Sequence, residues 1–251
     1  MPDDKEARYN QFVYEKLNSH LLAPRTLFVS TFTPATRWGR HIAQAMYEAE
    51  MMYARDLLHN NIAAGVTGAI VEFGVFEGRW LKTLIEAALE SGSHPEVWGF
   101  DSFEGLPELT SADLDCWHAG QYAANYETVR AFLNADERPW VRLIKGWFKD
   151  TLPDAKAQSM GPVAYARIDC DLYQPAVESL EFLSTRLVDG AILVFDDWTY
   201  DLEKGETRAF SEWIERTPHL RFEFLEANGT GSFYLRVKST LTAVVQTPTG
   251  Q

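Results

Sequence analysis

Short β-type runs alternate with helical periods through the middle of this chain, and that alternation restricts its fold more than any other feature. Ala69-Ile70-Val71-Glu72-Phe73 is a β-type run that ends in glycine, and Trp80–Ser91 after it reads as a helix. Val97–Phe100 is a second strand, ending at Asp101, and Trp140–Ile144 a third. Val163–Ile168 is a fourth, ending at Asp169, and is followed by a helix over Pro175–Leu187 closed by Asp189-Gly190. Ala191–Phe195 is a fifth, ending at Asp196, with a helix over Arg208–Arg216 beyond it. Strands separated by helices pair in parallel, because a crossover returns the chain to the same end of the sheet. Phe222–Leu225 and Ser232–Val237 flank Asn228-Gly229, a hairpin turn signal. The expected fold is α/β: a Rossmann-like, doubly wound, mostly parallel sheet with a C-terminal antiparallel hairpin and an N-terminal helical extension.

The extension covers residues 1–65. Arg37–Ala64 places Ile42, Ala45, Met46, Ala49, Met52, Leu57 and Leu58 near a helical period. Gly65 stops this helix, and Pro34 breaks the chain before it, leaving a loop over 23–36. The core then spans 66–238, and 239–251 reads as a loose tail.

Composition removes several classes of function. The net charge is −13, so phosphate backbones and anionic membranes are repelled. Met1–Asn10 is polar, with no apolar segment behind it, and no run is apolar enough to span a bilayer. Cys116 and Cys170 lie far apart and form no CxxC pair, which argues against a zinc ribbon or a disulfide framework. A soluble cytoplasmic protein is expected, with no nucleic-acid or membrane partner.

In open α/β sheets ligands sit beyond the carboxyl ends of the strands. Glu72, Asp101, Asp169 and Asp196 all fall at such ends. Glu72-Phe73-Gly74-Val75-Phe76-Glu77-Gly78 leaves the first strand for a helix. It is neither GxGxxG nor a Walker A loop, and its two glutamates would repel a pyrophosphate. They suit a cationic ligand, such as a sulfonium carrying an amino group. Asp101, ending the next strand, is placed to accept hydrogen bonds from ribose hydroxyls. The alternative is a tight strand–helix turn with a surface acid.

Ile168-Asp169-Cys170-Asp171 and Phe195-Asp196-Asp197 end strands expected to be neighbours, about 4.8 Å apart. Asp169 and Asp171 share a face if the strand persists through them. Two carboxylates about 5 Å apart repel by roughly 3 kcal/mol at an effective dielectric of 20. The cluster therefore needs protons or a cation, and Arg167 is the adjacent positive charge. Oxygen ligands at this density suit Mg²⁺, Ca²⁺ or Mn²⁺ rather than zinc. The competing reading makes Asp171 a helix cap and leaves Asp197 solvated.

Five blocks, EFGVFEG, GFDSFEGLPE, GWFKDTLP, ARIDCDLYQPAVESLEFL and DGAILVFDDW, together resemble the macrocin O-methyltransferase (TylF/MycF/NovP-type) family. The resemblance runs in order from Val71 to Trp198. It implies an S-adenosylmethionine (SAM)- and Mg²⁺-dependent enzyme that methylates sugar hydroxyls of natural products. It implies Glu72, Gly74 and Gly78 around SAM, and Asp101 and Ser102 at its ribose. Gly146-Trp147-Phe148 would lie near the adenine. Asp169, Asp196 and Asp197 would hold the metal, with Asp169 also bordering the cofactor, and Asp171 would be the general base. The family also implies a homo-oligomer whose N-terminal region covers the site. His118, in the long connection between strands two and three, is a second candidate base, although such a histidine is more often a surface residue. A catechol or phenol as acceptor, or SAM binding without catalysis, are the alternative functions.

Overall fold

The computed structural model describes residues 37–199, 201–227 and 231–239. Helix α1 (Arg37–Ala63) leads into strand β1 (Ala69–Phe73), helix α2 (Arg79–Glu90) and strand β2 (Val97–Asp101). A long connection reaches the short helix α3 (Tyr126–Phe132), then β3 (Val141–Lys145) and two one-turn helices, α4 (Phe148–Thr151) and α5 (Ala155–Gln158). Then come β4 (Val163–Ile168), α6 (Tyr173–Leu183), β5 (Leu187–Phe195), α7 (Gly205–Arg216), β6 (Leu220–Ala227) and β7 (Phe233–Ser239).

The seven strands form one sheet in the order β3-β2-β1-β4-β5-β7-β6. β3 through β5 are parallel, and β7 pairs antiparallel with both β5 and β6. This is the expected doubly wound sheet with a terminal antiparallel pair. The hairpin turn at Asn228-Gly229, the loop at 23–36 and residues 240–251 of the tail lie outside the described residues, while Ser239, expected to open the tail, is the last residue of β7.

Helices cover both faces, which is why β1, β2 and β4 are buried along their whole length. On one face Ala54, Leu57 and Leu58 of α1 and Leu81, Leu84 and Ile85 of α2 pack against Ile70, Tyr165 and Ile192. On the other, Leu180 and Leu183 of α6 and Phe210 and Trp213 of α7 pack against Val71, Phe73, Ile168 and Phe195. No helix among the described residues is long and apolar enough to cross a membrane.

Several boundaries differ from the sequence-based expectation, among them the start of α7 at Gly205 rather than Arg208 and the two ends of α6. Helix α6 starts at Tyr173, before Pro175, not at it. A proline in the first turn costs nothing, because that N–H has no intrahelical partner. The same helix ends at Leu183, and Asp189-Gly190 is not its stop but lies inside β5. Gly190 has φ +82°, and the β4–β5 register shifts between Val163 and Tyr165. A bulge of this kind breaks the apolar run that the sequence pattern depends on.

Candidate active site

The strand order reverses between β1 and β4, where a doubly wound sheet opens a crevice. A cavity of about 690 Å³ lies there, beyond the carboxyl ends of β1, β2, β4 and β5. Of the candidates, Glu72, Gly74, Asp101, Ser102, Trp147, Asp169, Asp171, Asp196 and Asp197 line it. Gly78 and Gly146 are not among the lining residues; they form turns with φ +79° and +141°. His118 is exposed and is not among the lining residues; its backbone N–H donates to Gln121 Oε1 at 3.3 Å.

One half of the cavity is built on Asp101. Its Oδ2 accepts from the backbone N–H groups of Val75 at 2.7 Å and Phe76 at 2.8 Å, and its Oδ1 accepts from Phe103 at 2.6 Å. Burial raises its pKa, against these three hydrogen bonds. Asp101 thus folds the glycine turn as well as facing the cavity. Ser102 is also structural: its hydroxyl accepts from Glu104 N–H and donates to Gly105 O, each at 3.0 Å. Gly74 has φ +90°, and a Cβ there would sit 1.6 Å from the Asp169 carbonyl oxygen. Only glycine allows β1 and β4 to come this close where they open.

The other half is built on Arg167. Glu72 and Arg167 are register partners on β1 and β4, and both are buried. The guanidinium lies 4.2 Å from the Trp80 ring centre, a desolvated cation–π contact. Its Nη1 contacts Asp169 Oδ2 and stands 3.7 Å from Glu72 Oε1, while Nη2 donates to Asp196 Oδ1 at 2.6 Å. The positive charge adjacent to the motif therefore enters the cluster. Burial pushes the Glu72 carboxyl up to about 8, with Arg167 opposing. Its Oε2 is buried with no hydrogen-bond partner among the described residues. A carboxylate oxygen left without a hydrogen bond at the edge of a cavity fits a cationic amino group.

Asp169, Asp196 and Asp197 each offer an oxygen within 4.8 Å of the others. Arg167 engages one named oxygen of Asp169 and one of Asp196, so each keeps a second oxygen outside that contact. An all-carboxylate set of this size fits a hard divalent cation.

Asp171 does not share a strand face with Asp169, as the sequence suggested. β4 ends at Ile168, and Asp171 turns into the left-handed region with φ +63°. It is still directed to the same cavity. Burial, then Asp169 and Glu206, push its carboxyl up to about 8. Nor does it cap α6. The Tyr173 N–H donates to Asp113 Oδ1 at 2.7 Å, from the long connection.

Two acids that the sequence reading missed hold this geometry. Asp113 anchors the connection to α6, and Gly205 N–H donating to Ala112 O at 2.8 Å anchors it to α7. Glu206, fully buried in the first turn of α7, accepts from the N–H groups of Cys170 at 3.0 Å, Asp171 at 3.2 Å and Asp197 at 3.3 Å. It gathers the ends of β4 and β5 into one loop pair. The signal available was weak: a glutamate after glycine at the start of a helix.

This arrangement, with ligand groups at a β1/β4 crevice and an antiparallel β7 beside β5, defines the class I methyltransferase fold. The chain belongs to the macrocin O-methyltransferase (TylF) family, whose model matches residues 12–234. It is 36% identical over 155 residues to 8-demethyl-8-(2,3-dimethoxy-alpha-L-rhamnosyl)-tetracenomycin-C 4'-O-methyltransferase of Streptomyces olivaceus, covering 56% of each chain. It is 30% identical over 157 residues to demethyldecarbamoylnovobiocin O-methyltransferase of Streptomyces niveus, covering 57% of this chain and 58% of that one. The chain thus spans about half the length of the curated relatives it matches. Among solved structures it resembles CalS11, a calicheamicin methyltransferase, with a TM-score of 0.62 at 22% identity, over 85% of this chain and 90% of that one. That likeness is one of fold.

Proposed function

We propose that this chain is a SAM-dependent O-methyltransferase that uses a divalent cation, Mg²⁺ by preference, to methylate a sugar hydroxyl of a glycosylated natural product. The observation that carries this reading is the meeting of two sites in one cavity. Glu72 and Asp101 lie on one side, and Asp169, Asp196 and Asp197 on the other, with Asp171 beside them. Family membership supports the reaction class, and the rhamnosyl group in one relative's name supports a sugar acceptor.

When bound, SAM supplies an electrophilic methyl group, and a divalent cation supplies a Lewis acid that acidifies and orients the acceptor hydroxyl. The chain's own residues do the rest. Glu72 would meet the cationic amino-acid end of the cofactor through Oε2, the oxygen away from Arg167. Asp101 presents its remaining acceptor capacity to the ribose, and Trp147 walls the adenine end. Asp169, Asp196 and Asp197 hold the cation. Asp171 accepts the proton that the acceptor oxygen loses. A carboxyl raised toward neutrality has the basicity such a step needs. Placement of donor and acceptor in the buried cavity supplies much of the remaining rate.

The test is methyl transfer from labelled SAM to a panel of rhamnosylated and other deoxysugar compounds and to simple catechols, with and without EDTA. Methylated sugar, abolished by EDTA and restored by Mg²⁺, is the expected result. Turnover only on catechols would move the acceptor to a phenol. SAM binding without turnover on any diol would make the chain a binding protein. Full turnover after exhaustive chelation would remove the cation.

A further inference from the structure

We propose that Ser232 and Glu50 are positioning residues through which helix α1 couples its docking on the sheet to divalent-cation affinity at Asp196. The inference rests on reading Asp169, Asp196 and Asp197 as a cation site. It gives the helix before the core a function in that site.

Ser232 precedes β7 and is fully buried. Its hydroxyl lies 2.8 Å from Asp196 Oδ1 and also contacts Glu50 Oε1. Glu50, 5% exposed, projects from α1. The same Glu50 oxygen accepts from Tyr234 Oη at 3.1 Å. One turn earlier on α1, Tyr47 lines the cavity and packs edge-on against Trp80, with ring centres 5.7 Å apart. Trp80 in turn covers Arg167. Helix α1 therefore reaches the acidic cluster by two routes, one aromatic and one through Ser232.

A serine hydroxyl has a single proton. Ser232 faces two carboxylate oxygens, so it donates to only one of them at a time. Donation to Asp196 steadies that carboxylate for a cation, and the Glu50 contact from α1 keeps the serine side chain beside it. A cation held at Asp196 would then favour the docked α1. Linkage requires the converse: a firmly docked α1 raises the affinity for the cation by the same factor. Ser232 also holds Oδ1 of Asp196 together with Arg167, which fixes the plane of the carboxylate. Groups that orient a ligand in this way typically contribute about 10–100-fold in metal affinity.

The experiment uses the full chain saturated with S-adenosylhomocysteine and Mn²⁺ as the probe, with binding followed by electron paramagnetic resonance. Ser232→Ala should bind Mn²⁺ roughly 10-fold more weakly, with cofactor affinity unchanged, and Ser232→Thr should restore most of the loss. A merely structural role would weaken cofactor and cation together. Independently, amide exchange in the wild-type chain should slow around Glu50 when Mn²⁺ is added, which keeps the test available if Ser232→Ala does not fold. Equal Mn²⁺ affinity in folded Ser232→Ala, or exchange in α1 that ignores Mn²⁺, overturns the inference alone. Absence of Mn²⁺ binding by the wild-type chain overturns the cation reading and this inference with it.

Discussion

The two halves of the cavity hold carboxylates by opposite means. Asp101 is held by three backbone N–H groups, neutral donors fixed by the fold. Asp169 and Asp196 are held by one guanidinium, which they share with Glu72. Backbone donors satisfy an acid without adding charge, so the Asp101 half is complete as a scaffold and selects its ligand by hydrogen bonding. A lone guanidinium among several carboxylates leaves the other half short of positive charge. On the proposed reading, that shortage is what a cation would fill.

Removing Arg167 breaks the comparison most severely. Arg167→Met should cost about 3–5 kcal/mol of stability, because it leaves buried Glu72 and half-buried Asp169 and Asp196 without their counter-charge. Urea unfolding measures it, and added Mg²⁺ should recover part of the loss. A loss below about 1 kcal/mol would place the counter-charge elsewhere. Asp101→Asn should cost less, about 1–3 kcal/mol, since amide hydrogens would oppose the backbone donors it now accepts from. It should also weaken S-adenosylhomocysteine binding in calorimetry, and Mg²⁺ should not recover either loss. A response to Mg²⁺ would mean that the halves are not distinct. His118→Ala should change stability by no more than about 0.5 kcal/mol and leave kcat as it was. A large fall in kcat would return His118 to the site.

The same contrast explains what could be read from the sequence. β1 and β4 were legible to the residue, because strands buried on both faces read as near-continuous apolar runs, here interrupted by a single charged residue each, Glu72 and Arg167. The acids at or beside the carboxyl ends of β1, β2, β4 and β5, namely Glu72, Asp101, Asp169 and Asp196, line the cavity. Where local geometry departs from the regular strand, the pattern gave the wrong answer. The bulge at Gly190 hid the start of β5, and the left-handed turn at Asp171 broke its alternation with Asp169. The supporting residues were not legible at all. Glu206 and Asp113 reach the site from elements remote in sequence, and each looks like an ordinary helix-start or loop acid until the chain is folded. Glu50 and Ser232 meet across 182 positions of sequence, which no local pattern records.

The account turns on a division of labour among neighbouring acids, in which Asp169 holds the cation and Asp171 takes the proton. Measuring kcat for Asp169→Asn and Asp171→Asn across a Mg²⁺ titration tests it most directly. Asp169→Asn should regain part of its activity as Mg²⁺ rises. Asp171→Asn should bind SAM and metal nearly as the wild type does, yet lose kcat by a factor on the order of 10²–10⁴ at every Mg²⁺ concentration. Rescue of Asp171→Asn by Mg²⁺ would make it a ligand, and wild-type kcat throughout would leave it neither ligand nor base; either result contradicts the account.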